Sequence, residues 1–417
     1  MNLEEKFIFT RDSKKTLGIV AVAGFVLVVI GVLLVIFTGH GHEATAEAGH
    51  GDGGHHAFHW YDRLTTSLWV NGVYFAGMAL LGVFFVAINY ASQAGWSAYL
   101  KRIPMSFGYW LPIAFVVLLA VFLFDTFIGH HKIFHWTADT TDPIILGKRA
   151  YLNVGFFLIR MVLYFVLWYL MFKKLRSLSL EEDRLGGYNY WRKSRFYAVI
   201  FLIIFAVTSS TSAWDWVLST DPHWFSTIFG WYIFAGWFVI SLVATTLFAV
   251  FLNENGYLKQ LTPNHLHDLG KFIFAFSIFW TYLWFSQYLL IYYANIPEET
   301  IHYLERLHSP TYAPLFYVNI ILNFFFPFLV LMTRDAKRHT IFLKIVGVIL
   351  LIGHWIDLYL LVAPPAIGEN GGIGFIEIGT FAIFGAAFVA LALNTMTKAS
   401  LVPKNHPMLQ ESLHYST

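Results

Sequence analysis

In the run LIGHWIDLYLL, His354 and Asp357 stand three residues apart among apolar neighbours. On a helix that spacing puts both on one face. Imidazole beside carboxylate suits proton transfer, because imidazole titrates near neutrality and a buried carboxylate can be raised toward it. Five further polar side chains interrupt apolar runs: Asp125 in VFLFDTFIGHH, Arg160 in FFLIRMVLY, Asp215 in TSAWDWVLS, Gln287 in LWFSQYLL and Glu377 in GFIEIGTF. Ionisable groups in such runs are costly against lipid, so they face protein or a wet cavity. Two readings stay open. The set lines a proton-accessible cavity, or each carboxylate caps or cross-links its neighbouring helices.

The elements that must carry these residues follow from composition. The chain of 417 residues is 57% hydrophobic and 12% charged, with mean hydropathy +0.60. That charge content is about half the ~25% of soluble domains, so most of the chain faces lipid or protein. A net charge of +2 offers nothing to nucleic acid. The absence of cysteine removes disulfides, thiolate zinc sites and cysteine-ligated iron–sulfur clusters. Ten apolar runs reach the roughly 20 residues a helix needs to cross the hydrocarbon core: 17–38, 66–90, 107–129, 150–172, 196–219, 228–252, 270–294, 311–333, 341–362 and 372–394. Strands of a membrane barrel would be half as long and alternating. The expected fold is an all-α integral membrane protein, one polytopic domain over 1–417. Its main connections are an outer loop at 39–65, a basic inner loop at 173–195 and a tail at 395–417.

Lys and Arg set the orientation, because positively charged loops stay cytoplasmic. With the N-terminus inside, 21 of the 27 Lys and Arg fall on the inner side and five on the outer, and Arg160 lies within a span. Both termini are then cytoplasmic. Each of Asp125, Asp215, Asp357 and Glu377 lies four or five residues from the outer end of its span, roughly 6–8 Å deep at about 1.5 Å per residue. Arg160 and His354 lie deeper. The inner half of the membrane holds almost no charge, so a proton path across the full thickness is not evident.

The histidines of TGHGHEATAEAGHGDGGHHAFHW (residues 38–60) invite a metal reading, but the glycines fix no ligand spacing. The expectation is an outer strap between spans 1 and 2, with deletion of 44–55 leaving activity nearly intact. The basic start, apolar run and Ala44-Thr45-Ala46 resemble a signal peptide, yet the run is longer than the 7–15 residues usual there. Haem bound between helices needs facing histidine pairs. Only His354 lies well inside a span, with His130 and His131 at an edge, so no cofactor is expected on this chain. Trp280, Tyr282 and Trp284 offer either an aromatic wall for a quinone ring or ordinary packing.

SAWDWVLSTDPHWFSTIFGWYIFAG (212–236) and DLGKFIFAFSIFWTYLWFSQYLLIYYANIPEET (268–300) resemble the membrane subunits of bacterial alternative complex III, within the NrfD/PsrC-like superfamily of quinone-interacting anchors. ERLHSPTYAPLFYVNIILNFFFPFLVLMTRDAKRH (305–339) and GHWIDLYLLVAPP (353–365) fit the same pattern. By length the chain is most similar to the smaller, ActF-type subunit. The resemblance implies spans 2–5 and 6–9 as two four-helix bundles, with spans 1 and 10 peripheral. It implies a bacterial inner-membrane complex that oxidises quinol and delivers electrons to a cytochrome c or a terminal oxidase. Iron–sulfur clusters and haem c would sit on partner subunits, beside a larger NrfD/PsrC-like paralogue, with residues 39–65 facing the periplasm.

Three functions follow as expectations. The first is a cofactor-free scaffold with a proton pathway drawn from Asp125, Arg160, Asp215, His354, Asp357 and Glu377. The second is a quinol-binding subunit using Asp125, His130, His131 and Gln287; the family's quinol site uses His and Asp near the outer face. The third is a secondary transporter with helices broken at Pro112 and Pro327, although such breaks belong at the midplane and these lie further in.

Overall fold

A computed structural model describes residues 5–38 and 58–415. Among them there is no strand, and ten helices are long and apolar enough to cross a membrane. The protein is an all-α multi-pass membrane protein. His40, His42, His50, His55 and His56 of the His-rich tract lie outside the described residues.

The first half contains α1 (Arg11–Thr38), α2 (Trp60–Ala91), α3 (Arg102–Phe107), α4 (Leu111–Phe127), α5 (Pro143–Lys148), α6 (Val154–Leu185) and α7 (Tyr188–Trp216). A 3-10 turn at Gly108–Trp110 joins α3 to α4 in a single span. The second half contains α8 (Phe229–Glu254), α9 (Pro263–Ala294), α10 (Pro297–His308), α11 (Ala313–Ile320), α12 (Phe326–Leu331), α13 (Thr340–Ile367), α14 (Phe375–Met396) and α15 (Leu409–Leu413). A π turn at Ile321–Phe325 joins α11 to α12.

Packing sorts the spans into two four-helix groups and a pair. Helices α2, α3–α4, α6 and α7 form one bundle; α8, α9, α11–α12 and α13 form the other. The two meet through α2 and α8, which are the most buried spans. Helix α1 packs along α14, and that pair rests on α2 and α3. A methyl added at Gly24 would come within 2.8 Å of the Gly379 carbonyl, and one at Gly379 within 2.6 Å of the Gly24 carbonyl. Small residues bring the two backbones together, as in membrane helix pairs generally. The rest of α1 presents its apolar side chains outward.

Polar staples tie the groups together where hydrocarbon offers no competing partner. Trp355 on α13 donates to Asn71 on α2 (3.1 Å), and Asn71 donates to Thr380 on α14 (3.1 Å). Tyr74 donates to the carbonyl of Leu351 (2.8 Å).

The expected basic loop at 173–195 is corrected: it is a helical hairpin. Helices α6 and α7 run on beyond their apolar stretches and break only at Gly186 and Gly187, both at positive φ (67° and 90°). A hydropathy window ends a helix where lipid ends, but helical propensity and packing carry it further. The tail at 395–415 is likewise folded. Leu401 N–H donates to the carbonyl of Glu5 (2.9 Å), so the two ends of the chain meet on one face.

Candidate functional site

The four carboxylates do not stand at the same distance from the ends of their helices. Asp125 and Asp215 sit in the last turns of α4 and α7, and Glu377 in the first turn of α14. Asp357 stands ten residues before the end of α13, ~15 Å along the helix axis. The difference arises because α13 continues to Ile367, through Pro364 and Pro365.

Three of the four are held by fixed partners. Asp125 accepts the backbone N–H groups of Ile133 and Phe134 (3.0 Å each) and folds the following loop back on the helix end. His130 and His131 occupy that loop at positive φ. His130 stacks on His59 (5.2 Å between ring centres), and His131 Nδ1 bonds Thr137 Oγ1 (2.6 Å). Asp215 receives a bidentate pair from Arg160 (2.7 and 2.8 Å) and the hydroxyl of Tyr164 (3.1 Å). The guanidinium packs against the Tyr151 and Phe156 rings (3.9 and 4.2 Å to ring centres), which meet edge to face, and donates to the Tyr151 carbonyl (3.1 Å). Glu377 is gripped by Arg63 of α2 (2.6 and 2.8 Å) and accepts the N–H of Gly374 (2.8 Å). These groups cap and cross-link helices. Arg63, in the first turn of α2, is one half of such a link.

Asp357 is different. Its Oδ1 accepts the hydroxyl of Tyr232 on α8 (2.5 Å) and the amide of Asn319 on α11 (2.9 Å). Its Oδ2 accepts the indole N–H of Trp280 on α9 (3.2 Å). Four helices thus converge on one carboxylate using neutral donors only, and among the described residues it forms no ion pair. It borders a cavity shared with Gln287, Asn319, His302, Arg306 and Trp284, in which ≈ 30 Å³ is reachable by the centre of a water molecule. That is room for about two waters.

The surroundings extend the polar path both ways. Asn323, in the π turn, donates to Asn319 (2.6 Å). A methyl at Gly353 would fall 2.3 Å from Asn323 Oδ1, so the glycine clears the space this amide occupies. One turn inward, His354 is buried edge-on to Trp280 (5.3 Å), with neither ring nitrogen hydrogen-bonded. Trp284 lines the cavity from the face of α9 shared with Trp280, while Tyr282 points outward. Gln287 donates to its own helix at Leu283 (3.2 Å), leaving its carbonyl oxygen unpaired. It sits in a different bundle from Asp125, His130 and His131, so those four are not brought together.

Outward, the cavity is roofed by α10, an amphipathic helix absent from the sequence reading. His302 of α10 meets Asp221 (2.8 Å) and stacks on Trp224 (3.9 Å). Burial, joined by the charge of Arg306, pushes the His302 imidazole down to about 4. Burial acts to raise Asp221, but the His302 hydrogen bond and the nearby cations outweigh it and hold the carboxyl below its ordinary value. Near neutral pH, His302 is therefore uncharged and its Nδ1–H donates to an ionised Asp221. Arg306 spends its donors on the carbonyls of Leu360 (2.8 Å), Leu361 (3.3 Å) and His302. Pro364 and Pro365 have no N–H to give to the Leu360 and Leu361 carbonyls four residues earlier, so the guanidinium takes that place.

A second buried ionic cluster sits on the opposite face, where the sequence suggested plain loop cations. Arg102 pairs with Asp183 (2.6 Å) and donates to the carbonyls of Ser179 (3.0 Å) and Ser400 (2.8 Å). Lys101 donates to Tyr90 and lies 3.9 Å from Glu182. The detectable signal was Phe172, Leu175, Ser179 and Glu182, whose spacing continues one helix face past the end of the span.

Among the described residues, no group of three or more His, Cys, Asp or Glu is placed to hold a metal ion. No family model matches the chain, and no curated protein matches it at a significant level.

Proposed function

We propose that this chain is a cofactor-free membrane subunit of a respiratory quinol-oxidising complex of the alternative complex III type, most like its ActF-type subunit. Within it, the second bundle handles protons at Asp357. The resemblance in the sequence supports the setting; haem c, iron–sulfur clusters and the larger paralogue belong to partner chains. One observation carries the chemical part of the reading: a deeply set carboxylate without a cationic partner, held by neutral donors beside a water-sized cavity.

The chemistry follows from the donor set. Tyr232, Asn319 and Trp280 stabilise the carboxylate by hydrogen bonds to its charged form, while burial favours the acid. Without a fixed counter-charge neither state is locked, so the group can take up and release a proton. Cavity water would carry that proton toward the roof at His302 and Asp221. His354, one turn inward, is the next titratable group. By contrast, Asp215 is neutralised by Arg160 and Glu377 by Arg63, so these two, with Asp125, take the role of cross-links and caps.

The size of the cavity counts against a quinone ring beside Asp357. Both oxygens of Asp125 are engaged by backbone, so quinol binding there gains no support. The test is Asp357→Asn in the assembled complex, reconstituted in vesicles. The amide keeps the shape of the side chain and removes its proton. Quinol oxidation with proton release lowered by about tenfold or more supports the reading; unchanged release per electron ends it.

A further inference from the structure

A second cavity lies on the outer side, away from Asp357, between the loop after α4, the short helix α5 and the first turn of α6. It offers ≈ 170 Å³ to the centres of water-sized groups. At roughly 10–15 Å³ per water, it has room for more than ten such groups, enough for a phosphate with a short amine-bearing arm. Arg149, Asp139, Thr140 and Trp136 line it, together with Val154 at the start of α6. Among the described residues, neither the Arg149 guanidinium nor the Asp139 carboxylate forms an ion pair. The other charges of this region are engaged. Asp142 is bound by His223 (2.5 Å) and by the N–H of Ile144 (2.8 Å), and Lys148 donates to the Pro222 carbonyl (2.6 Å). Thr140 Oγ1 accepts the N–H of Asp142 (3.1 Å), which leaves its hydroxyl hydrogen to donate. The indole N–H of Trp136, in the wall, has no protein acceptor.

The apolar part of the lining is Ile145, Leu146, Leu152 and Val154, of which Leu146 is exposed. Ile144 beside it on α5, Phe127 and Ile128 at the end of α4, and Phe156 in the first turn of α6 are exposed at the same ends of their helices. They lie at the outer ends of two spans, where side chains meet the boundary between acyl chains and headgroups. A polar recess lined by one cation and one anion, with exposed apolar side chains on the helix ends beside it, matches a two-part ligand. One part is a zwitterionic headgroup; the other is a pair of hydrocarbon chains.

We propose that this recess binds a phospholipid whose headgroup carries a primary amine, as phosphatidylethanolamine does. The phosphate sits at Arg149, Thr140 and the positive end of α6, and the ammonium donates to Asp139. A quaternary amine has no N–H to donate there, and an anionic headgroup without an amine meets Asp139 unfavourably.

The experiment is native mass spectrometry of the full chain, with whatever subunits accompany it, in micelles containing phosphatidylethanolamine, phosphatidylcholine and phosphatidylglycerol of identical acyl chains. The wild type should retain the ethanolamine lipid over the other two. Arg149→Ala should lower that retention roughly twofold to fivefold, the scale of one solvent-exposed ion pair. Asp139→Asn should narrow the gap between ethanolamine and choline lipids and raise retention of the glycerol lipid. Both side chains are exposed, so unchanged thermal stability serves as the folding control. Equal retention of ethanolamine and choline lipids by the wild type overturns the proposal, as does an Arg149→Ala protein that keeps the ethanolamine lipid undiminished. Millimolar inorganic phosphate should leave retention unchanged; full displacement would assign the recess to a soluble anion and overturn the lipid.

Discussion

The two bundles carry the same device in opposite electrical states. In each, the last helix brings an aspartate with a tryptophan one or two residues before it into the interior, Asp215 in AWDW and Asp357 in HWID, and in each a tyrosine hydroxyl reaches it. In the first bundle an arginine closes on the carboxylate from the preceding helix and cancels its charge. In the second the equivalent space is filled by an asparagine, an indole and a small cavity. A buried ion pair with every hydrogen bond made is an inert joint. A buried carboxylate with neutral donors and room for water can change its proton. The neighbours of the two aspartates, not the residue type, separate structure from chemistry.

Substitutions that exchange these states test the contrast. The largest effect is expected from Arg160→Ala, which strands the charge of Asp215 inside the first bundle. Removing one partner of a buried pair costs about 3–5 kcal/mol, so folded protein should drop sharply in a detergent thermal-unfolding assay. Asp357→Asn should cost less in that assay, about 1–3 kcal/mol for the buried donor its amide leaves without an acceptor, while lowering proton release about tenfold or more. If the two variants behave alike, the contrast between the bundles is wrong.

A smaller change is expected from Gly353→Ala. The new methyl must push the Asn323 amide aside, which disturbs Asn319 and through it Asp357. Misplaced packing of this kind typically costs about 1–3 kcal/mol. Proton release should fall further than stability does; equal losses in both would mark Gly353 as a packing residue only.

The third prediction concerns the roof of the cavity. His302 is held near 4 in the folded protein against about 6.5 when unfolded. Its contribution is therefore fully present above pH 6.5 and is lost as the pH falls toward 4, because the unfolded chain takes up the proton first. Asp221, held below its ordinary value, adds a loss in the same direction at still lower pH. Acidification should lower the unfolding temperature, and His302→Gln should flatten the part of that slope between pH 6.5 and 4. The difference is on the order of 3 kcal/mol at most, taking 1.36 kcal/mol per pKa unit. Parallel wild-type and His302→Gln curves would show that the pair does not carry the acid sensitivity of the roof.

How far the sequence could be read depended on the range of each interaction. The ten spans and their helical nature were legible, because lipid acts on every residue of a run at once. All six charged or imidazole candidates, Asp125, Arg160, Asp215, His354, Asp357 and Glu377, are buried, as burial of costly groups requires. Their roles were not legible. That Arg160 meets Asp215 while Arg63 meets Glu377 depends on pairings 55 and 314 residues apart in the chain. The inner ionic cluster escaped notice because it lies beyond the apolar windows. It is buried because α6 and α7 continue past their apolar stretches and the tail folds over them.

The sequence by itself therefore determined the class of molecule, the number of crossings and the stock of groups able to do chemistry, since these follow from local solvation and helix length. The tertiary structure alone decided which carboxylate is left without a cation and how deep it lies. The free energy of a buried charge is set by the few atoms within hydrogen-bonding reach, and only the packing of distant helices brings those atoms together.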